Sequence, residues 1–333
     1  MPKKYSYTYD IISIGEAGLD SFLNLAEEDA SVMCSIDKKN CWLCLSYAEK
    51  IPVKDFHETL GHNACNNAVG SSRLGLKTAL YCIVGGDDTG DKILKRLKDE
   101  KVSCEYVQIQ KKSKSTYSVV LNYKTERTIL LCHSPHTYNL PALARAQWIY
   151  VTSMRKGFEK VHGKIVQYMK DGGVKLAFNP GPQQLLAGRK ILEPILKVCS
   201  LLILNKEEAE NVLGDHSKMK TMHELLHGLY ELGPSTVVIT DSSRGAYGFD
   251  GHEIYFSKPL PSKVLEVTGA GDSFSTGLLA AFSYGKSLSE ALLWGAANAA
   301  SVIEHIGPQA GLLKKDALLK RIKKSRGVVR LLT

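Results

Sequence analysis

The chain has 333 residues, 44% of them hydrophobic and 23% charged, which is enough to bury a large core and too apolar for a disordered polymer. Its 43 Lys and Arg against 34 Asp and Glu leave a formal charge of +9, but outside Lys111–Lys114 and Lys314–Arg326 the cations are dispersed and no nucleic-acid motif accompanies them, so a solvated basic surface that attracts phosphorylated ligands is expected and a nucleic-acid partner is not. The apolar runs are too short to span a bilayer and Met1-Pro2-Lys3-Lys4-Tyr5 lacks a signal-peptide core, which gives the expectation of a cytoplasmic protein with no membrane partner.

In chain order, the pattern predicts a strand over Tyr9–Ile14, a helix over Asn63–Leu74, a strand over Thr78–Val84 and a helix over Asp88–Asp99. Trp148–Val151, Val174–Phe178, Leu201–Leu204 and Thr236–Thr240 then read as buried strands separated by helical stretches. Such alternation predicts an α/β fold, a mainly parallel sheet with helices on both faces, whose ligands bind at the carboxyl ends of the strands. Residues 19–58 and 105–132 break the rhythm with short strands of period two, such as Tyr117–Tyr123 before a turn at Lys124-Thr125-Glu126. The expectation is one domain over residues 1–333 with a small antiparallel lid built from these two insertions. A lid with an exposed apolar face must cover a cleft or a second subunit, which points to a homodimer through the lid.

Eight cysteines include Cys41 and Cys44 as C-x-x-C with Cys34 upstream, but no second pair at a zinc spacing and no redox context. Reduced thiols are expected, with Cys82, Cys104, Cys132 and Cys199 as small core fillers.

The chemistry-bearing stretch is Glu266-Val267-Thr268-Gly269-Ala270-Gly271-Asp272-Ser273-Phe274. Phe274, Leu278 and Phe282 recur at helical spacing, so the glycine turn opens a helix and Asp272 falls in its first turn. Gly269, Ala270 and Gly271 leave backbone amides free to approach an anion, and the helix N-terminus adds partial positive charge. Asp272 beside that hole is placed to take a proton from an attacking hydroxyl, although a tight turn with a dipole-favouring acid would look the same. Neither G-x-x-x-x-G-K-[ST] nor G-x-G-x-x-G after the first strand occurs, so a P-loop hydrolase and a dinucleotide dehydrogenase are unsupported.

Upstream stand Gly15-Glu16-Ala17-Gly18-Leu19-Asp20, Gly61-His62-Asn63-Ala64-Cys65-Asn66-Asn67-Ala68, Val84-Gly85-Gly86-Asp87-Asp88-Thr89-Gly90, Glu126-Arg127-Thr128-Ile129 and Leu204-Asn205-Lys206-Glu207-Glu208. Together and in this order they resemble the ribokinase-like (PfkB) carbohydrate kinases over nearly the whole chain. The resemblance implies a three-layer fold and transfer of the γ-phosphoryl of ATP, with Mg2+, to a primary hydroxyl of a small sugar or, alternatively, a nucleoside. It implies that Asp20, Gly61 and Asn66 hold the acceptor, and each residue type suits that work. A carboxylate accepts from two adjacent hydroxyls, an amide offers donor and acceptor, and Gly61 leaves room for close approach. Asp20 as a turn or cap residue and Asn66 as a polar first-turn residue are the plainer readings.

By the same resemblance, Asn205 and Glu208 order the water shell of Mg2+, while also having the spacing of a capping box. Thr240 and Gly245 would line the nucleotide, and Asn298 would lie near the adenine. Three departures stand out: Glu266-Val267 in place of Asp-Thr, where relatives bind activating K+; His62 in place of the second glycine; and Ser242 in place of a glycine. Phe22, Trp42, Phe56, Tyr117 and Tyr123 are the aromatics available to stack on a nucleoside base, or to pack the lid. A catalytically silent scaffold is the alternative from another class; it would be expected to lose the base or the anion hole, and both are present.

Overall fold

Six short runs rich in Ile, Val and Leu pair side by side in parallel, in the spatial order Thr78–Tyr81, Tyr9–Ile14, Ala146–Val151, Lys175–Phe178, Leu201–Asn205 and Val237–Thr240. Ala246–Phe249, Ile254–Ser257 and Val329–Leu332 extend the sheet antiparallel at the far edge. This computed structural model describes residues 6–36, 40–124, 126–170, 172–214, 221–325 and 327–332. Met1–Tyr5, Thr125 of the expected lid turn and Arg326 of the basic tail lie outside the described residues.

Alternate side chains of each strand enter opposite cores, which is why the runs read as continuously apolar. Ile12, Ile14, Ile149, Leu202 and Val237 pack against helices Phe158–Met169, Arg189–Leu196 and Met222–Tyr230. Ile11, Trp148, Tyr150, Leu201 and Val238 pack against helices Ala270–Ser283 and Leu288–Val302 on the other face. The result is the expected three-layer α/β/α architecture. Among the described residues, no helix is long and apolar enough to cross a membrane.

The expected strand over Thr78–Val84 divides at Cys82. Its second half, Ile83–Gly85, leaves the main sheet and pairs with Gln108–Gln110, where the Gly85 amide donates to Ser115 Oγ at 2.9 Å. The lid sheet runs in the order Glu126–Cys132, Thr116–Tyr123, Gly18–Leu25, Val53–Gly61. It is antiparallel within each insertion and parallel where the two insertions meet, with Asp20 opposite Ser118.

A hairpin of Ala30–Cys34 and Cys41–Leu45 belongs to the first insertion, and its register sets Cys34 directly opposite Cys41. A disulfide joins them, which corrects the expectation of reduced thiols throughout. The pairing follows from hairpin register and not from the C-x-x-C spacing. Cys82 and Cys199 are the buried fillers anticipated and Cys104 is half-buried, whereas Cys132 is exposed at the end of a lid edge strand whose residues other than Arg127 are all exposed.

Helices Ala270–Ser283 and Leu288–Val302 pack closely because glycines line their contact. A Cβ at Gly277 would come within 2.5 Å of Trp294 O, and one at Gly295 within 2.9 Å of Phe274 O. Gly277→Val is therefore expected to cost about 1–3 kcal/mol by overpacking, read as a lower Tm in a thermal melt. A variant that melts with the wild type would contradict this packing.

Candidate active site

Helix Ala270–Ser283 begins at Gly269, whose φ of 79° lies in the left-handed region that favours glycine, and no side chain caps it. The Ala270 amide donates to Val267 O at 3.2 Å and the Ser273 amide to Gly269 O at 2.9 Å, so the amides between them and the positive potential of the helix end are what this turn can present to an anion. The turn is backed by the segment after helix Leu288–Val302: a Cβ at Gly269 would lie 2.5 Å from Pro308 Cβ. A Cβ at Gly271 would instead meet nothing within 4 Å, so the turn is open on that side.

Asp272 stands in the first helical turn, half-buried, and its Oδ2 accepts from Asn66 Nδ2 at 2.8 Å. Burial pushes its carboxyl up from the ordinary 3.8 to about 6, against the pull of the Asn66 hydrogen bond and of His62, with Asp20 adding to the rise. Asn66 lies on helix Asn63–Arg73 and is 3% exposed.

Asp20, on lid strand Gly18–Leu25, is 8% exposed, and burial raises its carboxyl pKa while His62 opposes that rise. A Cβ at Gly61 would overlap the Asp20 carboxylate, so glycine is required there for the acid to reach its place. His62, with φ 73°, keeps the backbone shape of the glycine it replaces and sets Nε2 3.8 Å from Asp20 Oδ1. Space for its ring comes from Gly18, where a Cβ would lie 2.6 Å from His62 Nε2.

Asn205 and Glu208 form the capping box: the Glu208 amide donates to Asn205 Oδ1 and the Asn205 amide to Glu208 Oε2, both at 2.8 Å. Burial raises the Glu208 pKa, offset by the Asn205 amide, while Glu207 and Asp272 add to the rise. Thr240 is the parallel-strand neighbour of Asn205. Gly245, with φ 118°, closes the turn over Ser242–Arg244, and a Cβ there would overlap Ser257 O.

Asn298 is fully buried; its Nδ2 donates to Ser273 O at 2.8 Å and its Oδ1 accepts from the Leu313 amide at 3.1 Å, so the structure uses it to brace the catalytic helix. Glu266 is 6% exposed, its Oε1 accepting from the Thr268 amide at 3.0 Å and its Oε2 from the Gly307 amide at 2.7 Å. Among the described residues, no group of three His, Cys, Asp or Glu is placed to cage a metal directly.

The structure thus brings Asp272, Asn66, Asp20, Gly61 and His62 together, and sets Asn205, Glu208, Thr240 and Gly245 at the ends of the next two strands. Of the aromatics considered for base stacking, Phe22 and Tyr123 are buried, Tyr117 is bound to Ser21, Phe56 is exposed on the lid face opposite Asp20, and Trp42 is exposed on the separate hairpin. Two residues near the site carried no sequence signal. Gln309 donates from Nε2 to Asn66 Oδ1 at 2.9 Å, and the His133 ring lies 6.3 Å from that of His62, edge to face.

Comparison with known proteins gives the family and the fold. The model of the pfkB family carbohydrate kinases matches residues 29–315. A nucleoside kinase of Methanothermobacter thermautotrophicus is 26% identical over 278 residues, 81% of this chain and 86% of its own length. Mouse ribokinase is 27% identical over 253 residues, 72% of this chain and 76% of its own. In fold, the chain is similar to Arabidopsis thaliana ribokinase, solved with ribose and ATP, with a TM-score of 0.77, 19% identity and coverage of 95% and 99%. Methanocaldococcus jannaschii nucleoside kinase gives 0.75, 20%, and coverage of 95% and 98%. Because the family model matches residues 29–315, most of its length, the chain belongs to the pfkB family of carbohydrate kinases.

Proposed function

We propose that this protein is a cytoplasmic, ATP-dependent phosphotransferase that transfers the γ-phosphoryl group to a primary hydroxyl of a small sugar, with Asp272 as general base. The observation that carries the reading is the half-buried Asp272 carboxyl, which shares one helical turn with the uncapped Gly269 end and is hydrogen-bonded to the acceptor-side Asn66. Asp20 and Asn66 bind and orient the hydroxyls, and the turn Gly269-Ala270-Gly271 presents backbone amide, chiefly that of Gly271 because the Ala270 amide is bonded to Val267 O, to the phosphoryl oxygens. Asp272 takes the hydroxyl proton as the acceptor oxygen bonds to the γ-phosphorus and the bond to the β-phosphate oxygen breaks, releasing ADP.

The residues fit Mg2+ held through water. Glu208 is a half-buried carboxylate with no cationic side chain against it among the described residues, and Asn205 stands beside it. Mg2+, when bound with ATP, supplies charge that offsets the phosphates, while Asn205 and Glu208 hold its waters and Thr240 and Gly245 flank the nucleotide. K+ fits at Glu266, a buried carboxylate with no ion pair among the described residues, near a Thr268 hydroxyl that is buried without a partner.

A nucleoside is the second reading. It is supported by the archaeal relative's name and by Ile129 and Leu131, which are 46% and 49% exposed on the lid face that carries Asp20. A homodimer through the lid is part of the proposal, because Phe56 and Leu130 are 60% and 54% exposed on the opposite face.

Asp272→Asn should lower kcat of acceptor-dependent ADP release about 100-fold or more with little change in KM, and wild-type activity should rise with pH through about 6. The raised carboxyl pKa favours the folded state below the ordinary 3.8, and that contribution is lost as pH rises through about 6, so the same variant should melt higher than wild type at pH 8. Near-normal turnover in Asp272→Asn would remove the assignment. Exchange of Na+ for K+ at constant ionic strength should raise kcat in the wild type and not in Glu266→Gln; equal rates would exclude the cation. Phe56→Asp should shift sedimentation toward the monomer, and a wild-type monomer at micromolar concentration would exclude the lid dimer.

A further inference from the structure

Gln309 belongs to no motif, yet it is the residue on which the orientation of the acceptor-side amide depends. It is 5% exposed, and its Nε2 donates to Asn66 Oδ1 at 2.9 Å. Because that oxygen is held, the other end of the same amide, Nδ2, is turned toward Asp272 Oδ2 at 2.8 Å. A flipped Asn66 would set two oxygens together, its own carbonyl against the Asp272 carboxylate, and its NH2 against the Gln309 NH2.

Gln309 is itself fixed from both sides. Its backbone carbonyl accepts from Arg73 Nη1 at 2.5 Å, which fixes the chain from which the side chain reaches Asn66, and Arg73 is held by Glu100 through bonds of 2.6 and 2.9 Å. Two residues earlier, the Gly307 amide is bound by Glu266, and Pro308 abuts Gly269 of the anion turn. The segment 307–309 therefore touches the turn that faces phosphate and the amide that faces the base.

We infer that Gln309 is a positioning residue for catalysis: it fixes the Asn66 amide so that Asn66 donates to Asp272 and keeps the carboxyl in line for the acceptor hydroxyl. The inference rests on the proposed role of Asp272 as base. Gln309→Leu removes the donor, and the near-isosteric Gln309→Glu presents an acceptor to Asn66 Oδ1 and favours the flipped amide.

The effect on Asp272 has a sign. Loss of the Asn66 donor removes an interaction that favours the charged carboxylate, so the carboxyl should titrate about 0.5–1 pH unit higher. A role limited to packing would lower stability without moving that titration.

The test is a pair of readouts on the full chain carrying Gln309→Leu or Gln309→Glu. The first is kcat, KM and the acidic limb of the pH–rate profile. The second is the Asp272 carboxyl titration by 13C NMR with labelled aspartate, assigned by its loss in Asp272→Asn. The expected result is a fall in kcat of about 10-fold or more with a smaller change in KM, an upward shift of the acidic limb, and the same shift in the NMR titration. In an Asn66→Ala background, Gln309→Leu should have little further effect on kcat. An active wild type whose Gln309 variants keep its kcat and its carboxyl titration would overturn the inference and leave the kinase reading intact. A shifted titration in a protein that phosphorylates no acceptor would support the relay while removing the kinase reading. Additive losses in the double variant would also overturn it.

Discussion

One hydrogen bond spans 206 residues of sequence: Asn66 Nδ2 to Asp272 Oδ2. It ties helix Asn63–Arg73 to helix Ala270–Ser283, and so joins the two segments that the proposed function assigns to the acceptor and to phosphate. The rest of the site is arranged to keep that contact in register. The two helices, far apart in sequence, meet closely: a Cβ at Gly70 would come within 2.7 Å of Thr276 Cγ2. Asn67, beside Asn66, repeats the link deeper in the core by donating to Thr276 Oγ1 at 3.2 Å.

The electrostatic character of the centre is that of carboxylates crowded in a chain whose formal charge is +9. Asp20 feels Glu266, Asp272 feels Asp20, and Glu208 feels Asp272, each interaction raising the pKa of the group named first. Such a set is unfavourable on its own. It is held by neutral donors: the Asn66 amide at Asp272, and the Thr268, Gly307 and Asn205 backbone amides at Glu266 and Glu208. Donors of this kind restrain a carboxylate without neutralising it, as the proposed roles in proton transfer and cation binding require.

Much of the fold was legible in the sequence because buried parallel strands leave continuous apolar runs and helices leave their own spacing. Tyr9–Ile14 and Asp88–Asp99 fall where the pattern places them. The run over Thr78–Val84 did not reveal its division at Cys82, because both halves are buried and only their partners differ. The lid was visible as period-two strands, but its parallel seam and the Cys34–Cys41 pairing depend on register, which alternation alone does not specify.

The same boundary runs through the site. Glycines mark places where backbone shape or close approach admits no Cβ, so Gly61 and Gly269 advertise themselves, and His62 shows that a non-glycine residue can hold such a shape. Gln309 does not, because a lone glutamine becomes meaningful only when folding sets it against an asparagine 243 residues away. Asn298, picked out by the resemblance alone, is fully buried and bonded to Ser273 O in helix Ala270–Ser283, a contact that spacing does not reveal.

The central claim is tested most directly by ADP release from Mg-ATP across ribose, fructose, 2-keto-3-deoxygluconate, fructose 6-phosphate, adenosine, cytidine and inosine, with each product identified by mass. The account predicts stoichiometric phosphorylation of one class at a primary hydroxyl, sugars before nucleosides. Tight ATP binding with no phosphorylated product from any of them would contradict it and would favour a scaffold that keeps the shape of a kinase without the reaction.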